Sequence, residues 1–221
     1  MNDDFDLKNF QGVTRLFPLR QLVMFPHVML PLHIFEPRYR QMTEHALEDD
    51  RLITMIQSLG VSGASSGIAT VGCLGRIFRN DRLPDGCFNI LLLGKTRVQI
   101  KKELTVSTLY RQAEVEVLDE IDDQVADPEL RDRLIWYFER LHSTSLEPEL
   151  GKLLRLEMTL GTLCDILAHS AKFSAEIKQS LLEENHVPAR CEALLDLMAR
   201  ELRIQKGVEP FRVFPPPFSL N

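Results

Sequence analysis

"FPHVMLPLHIFEPRYRQM", residues 25–42, places prolines at 26, 31 and 37, histidines at 27 and 33, an apolar run and a Glu-Pro-Arg-Tyr-Arg cluster in one short stretch. Read as chemistry, it offers a metal site or an acid/base pair; read as architecture, it is a frame. Metal binding fits poorly. His27 and His33 share a strand parity but stand about 20 Å apart when extended, too far to share one ion. Glu36 beside Arg38 or Arg40 fits a structural carboxylate better than an acid/base set. It can cap the helix that Pro37 starts, or accept a bidentate arginine bond. Three prolines stiffen the path, as a frame requires.

Outward from this stretch, the first half of the chain reads as β. "AEVEVL" (113–118) alternates strictly, and "RVQIK" (97–101) repeats the pattern with Val98 and Ile100. "GIATVGCLGRIF" (67–78) and "FNILLL" (88–93) are rich in strand formers, and Pro84, Asp85 and Gly86 between them supply turn chemistry, so the two predict a hairpin. "RLITMIQ" (51–57) is a further strand and "SLGVSGASSG" (58–67) a small-residue loop. One helix interrupts: after Pro37, Tyr39, Met42 and Ala46 recur at helical spacing.

The second half reads as α. Leu153, Leu156, Leu160, Leu163 and Leu167 form one continuous helical stripe. Leu130, Leu134, Tyr137 or Phe138, and Leu141 mark a helix before it; Cys191, Leu194 or Leu195, Met198 and Leu202 mark the last, started by Pro188. Ser174 caps a shorter helix with Ile177 and Leu181 inward. The change falls at "DEIDDQVADPEL" (119–130), which carries six acidic residues and no basic one, so the boundary lies near 120–127. The expected organisation is α+β, with a β-rich unit over 1–122, a helical bundle over 123–206 and an extended Pro/Phe-rich tail over 207–221. The tail's Phe211, Phe214 and Phe218 are expected to lie on the body or on a partner.

Composition narrows the function. Net charge is −6; residues 1–118 hold 14 Lys+Arg against 13 Asp+Glu, and residues 119–221 hold 12 against 19. That balance argues against nucleic acid, RNA included, and against an anionic membrane. No apolar run approaches the roughly 18 residues of a membrane span, and the acidic start "MNDDFDLKNF" lacks a signal-peptide layout, so a cytoplasmic location is expected. Four cysteines at 73, 87, 164 and 191 lack the close pairing of a zinc site and read as semi-buried thiols. "LGKT" (93–96) lacks the first glycine of a phosphate loop, since position 89 is Asn89. No nucleophile elbow occurs, and Lys152, Lys172 and Lys178 read as solvated helix faces. No catalytic residue, cofactor or metal is expected.

"FPLRQLVMFPHVMLPLHIFEPRYRQM" (17–42) resembles the opening of the substrate-binding N-domain of Lon proteases. The resemblance falls on Phe17, Pro18, Leu19, Phe25, Pro26, Leu30, Pro31, Leu32, Ile34, Phe35, Glu36, Arg38 and Tyr39. It continues in "GRIFRNDRLPDGCFNILLLGKTRVQI", "YRQAEVEVLDE" and the helices of "GTLCDILA…KQSLLEENHVPARCEALLDLM", spanning about 14–205. It implies a PUA-like pseudo-barrel followed by a helical bundle, in a stand-alone protein without Lon's ATPase and Ser-Lys peptidase modules.

The expected function is therefore a non-catalytic protein- or peptide-binding module for exposed apolar or unfolded segments, with a protease or chaperone as a further partner. Met24, Met29 and Met42 are its candidate peptide contacts, because methionine makes an adaptable apolar surface, although core packing is its commoner use. The loop 58–67 and the tail could rim a groove. The alternative is a small hydrolase or ligand-binding enzyme with a pocket in the pseudo-barrel. It would require a concave site with a perturbed titratable group beside a nucleophile.

Overall fold

The structure, a computed structural model, describes residues 10–60, 67–122, 128–142, 154 and 156–205. Along the chain run β1 (Val13–Leu19), β2 (Met29–Ile34), α1 (Pro37–Glu48), β3 (Leu52–Gln57), β4 (Val71–Arg82), β5 (Phe88–Leu104) and β6 (Gln112–Leu118). The helices α2 (Pro128–Leu141), α3 (Leu160–Ser170), α4 (Ala175–Glu183) and α5 (Val187–Gln205) follow. The division into a β half and an α half agrees with periodicity.

β1 pairs in parallel with β3 and antiparallel with β6; β3–β4, β4–β5 and β5–β6 are antiparallel. Those five strands close a ring, and β2 lies outside it on the first half of β5. Closure depends on the length of β5. The segments 88–93 and 97–101, expected as separate strands, are one strand of 17 residues. Its first half carries β2, and its second half carries β6. Leu16, Leu52, Ile56, Leu74, Val98 and Val115 fill the ring. Thr14 and Thr54, both buried, satisfy each other there with a 2.9 Å hydroxyl hydrogen bond.

The opening motif packs on the outside of the ring. Gly94 shows how: a Cβ there would stand 2.2 Å from the Phe25 carbonyl oxygen. Its amide donates to Val28 O, and its carbonyl accepts from His27 N, both at 2.9 Å. The glycine of "LGKT" therefore admits the backbone of Phe25 and Pro26. Phe25, Leu30, Ile34, Tyr39 and Met42 join Ile77, Ile90, Leu134, Leu167 and Leu194 in one core continuous from strands to helices. α1 lies as expected, with Tyr39, Met42 and Ala46 buried.

A buried ion cluster fastens the helices to the ring. Arg97 of β5 donates to both Asp165 oxygens (2.9 and 2.6 Å), to Glu120 Oε1 (3.0 Å) and, through Nε, to Leu182 O at 2.9 Å. Arg190 of α5 bonds Glu120 and the Glu184 carbonyl, and its Nε lies 3.3 Å from Asp165. Arg97, Asp165 and Arg190 are all buried. Burial pulls the Arg190 guanidinium down, but Asp165, Cys164 and Glu120 outweigh it and the net direction is up. Gly161 leaves the space Glu120 needs, since a Cβ there would lie 2.6 Å from its Oε2.

Two helical expectations change. The leucine stripe is not one helix: α3 begins at Leu160, capped by Thr159, whose hydroxyl accepts from Thr162 N. Before it, Arg131 donates to the carbonyls of Leu154, Leu156 and Met158, which holds that segment open and leaves Leu156 exposed. Leu153 and Lys152 lie outside the described residues. Lys178 is not a solvated face. It donates to the His169 carbonyl, and burial lowers its pKa. Ser174 caps α4 as expected, accepting from Ile177 N.

Three outcomes follow. Arg97→Ala leaves buried Asp165 with Arg190 alone, its two Arg97 hydrogen bonds lost, and should cost about 3–5 kcal/mol in denaturant unfolding. Gly94→Ala, which forces the Phe25 backbone away, should cost about 1–3 kcal/mol. Burial first, then the Lys178 charge, holds the His169 imidazole below its ordinary value. The unfolded chain then takes up a proton near pH 6.5 that the fold resists. Stability should fall as pH drops through about 6.5, by at most ~1.4 kcal/mol per pH unit from this one site, and His169→Gln should flatten that part of the profile.

Candidate functional site

The residues singled out in the opening motif divide by strand parity. In β2, Leu30 and Ile34 point into the core, with Leu32 partly buried, while Met29, Pro31 and His33 point out. Phe25 and Pro26 are buried ahead of it, and Tyr39 after it. Glu36 precedes α1 but makes no side-chain cap. Instead Arg38 donates to its Oε2 through Nε (3.0 Å) and Nη2 (2.7 Å), with the guanidinium 4.6 Å from the Tyr39 ring centroid. Both side chains are surface-exposed and occupied with each other.

Of the three candidate methionines, Met24 and Met42 are 1% and 0% exposed and belong to the core. The contact reading does not extend to them, because the loop over Gly94 and the inner face of α1 turn them inward. Met29 is 46% exposed. Its face of the sheet holds more apolar surface. Opposite Met29 lies Leu93 and opposite Pro31 lies Leu91, both half-buried, and opposite His33 lies Asn89. His33 Nδ1 sits 2.8 Å from Asn89 Oδ1, and the His33 ring stacks on Phe35, which is 61% exposed. On β4 the ladder to β5 shifts between Ile77 and Arg79, and the residue at that irregularity, Phe78, is 46% exposed. The result is an apolar strip across β2 and β5, bordered on β4 by Phe78 at the bulge and by Arg76 and Arg79, the partners of Leu93 and Leu91. It adjoins an open strand edge, since among the described residues no strand pairs with the far side of β2.

Phe78, Leu91 and Leu93 escape a reading of sequence alone. "ILLL" is apolar at every position and hides its own parity, and a bulge cannot be placed without its partner strand. The exposure of Met29 was legible from the alternation Leu30, Leu32, Ile34.

The concave sites differ in character. At the mouth of the ring, a cavity of about 500 Å³ is lined by Phe10, Val13, Arg15, Asp50, Leu52 and Arg76 among others. Arg15 spans Asp49 and Asp50 at 2.7 Å each; the carboxylates outweigh its burial and raise its pKa. Thr14, in the same wall, is bonded to Thr54. A second cavity of about 530 Å³ lies between Ser58–Gly60 and α4, with Gln57, Gln179 and Glu183 in its walls. Residues 61–66 of the serine loop lie outside the described residues. The thiols are buried; burial pushes Cys73 up to about 12, and burial with neighbouring Cys191 drives Cys164 well above the usual range. That is opposite to the shift an activated nucleophile shows. Among the described residues, no group of three His, Cys, Asp or Glu side chains is placed to hold a metal ion, and no helix is long and apolar enough to cross a membrane.

A model of the family described as the ATP-dependent protease La (LON) substrate-binding domain matches residues 13–200. The Lon protease of Azorhizobium caulinodans is 27% identical over 201 residues, 87% of this chain and 24% of that protein. The Lon protease of Xanthomonas oryzae is 29% identical over 198 residues, 86% and 23% respectively. The chain thus spans about a quarter of the length of the relatives it matches. A Lon N-terminal domain protein from Xanthomonas campestris has the same fold, with a TM-score of 0.64 at 22% identity over 83% of this chain and 97% of that one. The N-terminal domain of a Mycobacterium avium complex Lon protease gives 0.65 at 16% identity over 85% and 98%.

Proposed function

Because the chain belongs to the LON substrate-binding domain family, we propose that it is a protein-recognition module that binds exposed apolar or unfolded segments and performs no chemistry on them. The observation that carries this reading is the apolar strip of Met29, Leu91, Leu93, Phe35 and Phe78 beside the open edge of β2. An unfolded segment presents apolar side chains and unpaired backbone together. A strand edge bordered by apolar side chains meets both needs, through backbone pairing and side-chain contact. The buried, upward-shifted thiols and the paired polar groups at the mouth of the ring favour this reading over a hydrolase. A captured segment would pass to a protease or chaperone that binds the same protein. A cytoplasmic location suits such a partner.

The test is incubation of the protein with a labelled, denatured client, followed for binding and for cleavage. Saturable binding without ATP and without product is expected. Met29→Ser with Phe78→Ser should weaken it about tenfold, the effect of removing one interface anchor. Unfolding stability should change little, since both side chains are half in solvent. Unchanged affinity in the double variant would remove the strip from the binding site. Product whose formation a serine or cysteine reagent blocks would establish the hydrolase reading.

A further inference from the structure

A second apolar surface lies on the opposite half of the molecule, on α2. Leu130, Leu134 and Phe138 of that helix are buried in the core. Away from them, Glu129, Asp132, Arg133, Trp136 and Tyr137 line a shallow groove of about 320 Å³. Trp136, the protein's single tryptophan, is 46% exposed. One side of its indole is covered by Arg140, whose guanidinium carbon lies 5.2 Å from the ring, and Tyr137 stands edge-on at 4.8 Å. Two adjacent aromatic rings set at 84° make a notch with an apolar floor and an indole N–H available as a donor.

The chain itself holds a segment of matching chemistry. α5 packs along α2 and ends at Gln205. Residues 206–221, "KGVEPFRVFPPPFSLN", lie beyond it and outside the described residues. A proline run favours the polyproline II conformation, loses little entropy on docking, and characteristically binds grooves walled by Trp and Tyr. Dimensions agree. From Glu129 to Tyr137 the helix rises about 12 Å, and four residues of polyproline II also extend about 12 Å. Sixteen residues at that rise reach about 50 Å, ample to pass round one helix. Charge leans the same way: the groove's lining holds two acidic residues, Glu129 and Asp132, to one basic, Arg133, and Arg212 precedes the three consecutive prolines.

We propose that residues 206–221 fold back on their own chain and seat Pro215, Pro216, Pro217 and Phe218 in the Trp136–Tyr137 groove of α2. This surface is separate from the β2 strip, and the contact stands whatever the strip binds. It makes the tail a strap across the helical half.

The single tryptophan gives a direct readout on the full chain. With the strap seated, Trp136 emission should be blue-shifted and only weakly quenched by acrylamide. Replacing Pro215, Pro216 and Pro217 together by Gly should shift emission to the red and raise the quenching constant about twofold, as the ring's second face becomes solvated. Tyr137→Ser, which removes one wall and keeps the reporter, should do the same. Far-UV circular dichroism would confirm that both variants stay folded. Equal quenching of wild type and the triple variant would overturn the proposal. So would a wild-type quenching constant that rises on dilution, which would mean docking between copies, or a wild-type tryptophan shielded only when a proline-rich peptide is added, which would make the occupant another protein.

Discussion

The contact among Arg97, Asp165, Arg190 and Glu120 is the constraint on which the arrangement of the two halves depends. Its members come from the longest strand of the ring, the segment that leaves β6, and two helices of the bundle. Arg97 also accepts no alternative geometry: its Nε is committed to the carbonyl of Leu182, so the end of α4 is fixed by the same side chain that fixes α3. Desolvating two guanidinium groups is costly, and their mutual arrangement offsets the cost only because both Asp165 oxygens are used and Glu120 bridges the cations. Such a cluster adds little net stability over an apolar core of the same shape. What it does is reject alternatives. A helix docked one turn away would leave buried charges unpaired, whereas leucines would tolerate the shift.

The same logic explains residues that look chemical and have structural partners. Gly94 and Gly161 mark where backbone or carboxylate passes too close for a side chain. Glu36 is held by Arg38, Arg15 by Asp49 and Asp50, Thr14 by Thr54. Each of these polar groups has a structural neighbour that occupies it. The opening motif is therefore a frame: it lays Phe25 over Gly94, turns Leu30 and Ile34 inward, and starts α1 at Pro37.

Much of this was legible in the sequence, for a specific reason. Where one face of an element is buried and the other wet, the period shows, as in "AEVEVL" and in the Cys191–Leu202 helix. Where both faces are apolar, the period vanishes, and β5 was divided into two strands. The leucine stripe failed differently. Spacings of three and four continue through Leu156, yet the chain there is pinned open by Arg131, a contact between residues 25 apart in sequence that no local pattern records. The ion cluster was invisible for the same reason. Arg97 alternates like any surface arginine, and only the helices that arrive later bury it. Among the methionines, the parity of β2 exposed Met29, while nothing local distinguished Met24 and Met42 as core.

The placement of β2 follows from these facts and shapes what the molecule can meet. Among the described residues, the strand outside the closed ring keeps one unpaired edge, and an unpaired edge invites other copies of the protein. Pro31 interrupts the donors along it, so the edge cannot template a regular ladder between copies. His33 and Asn89 add polarity to the face beside it, and Phe35 is drawn onto His33. For the proposed recognition role, these features disfavour a long, flat partner and favour short, irregular, apolar segments. Selectivity of that kind comes from the shape of the edge and the side chains around it, and requires no reactive group.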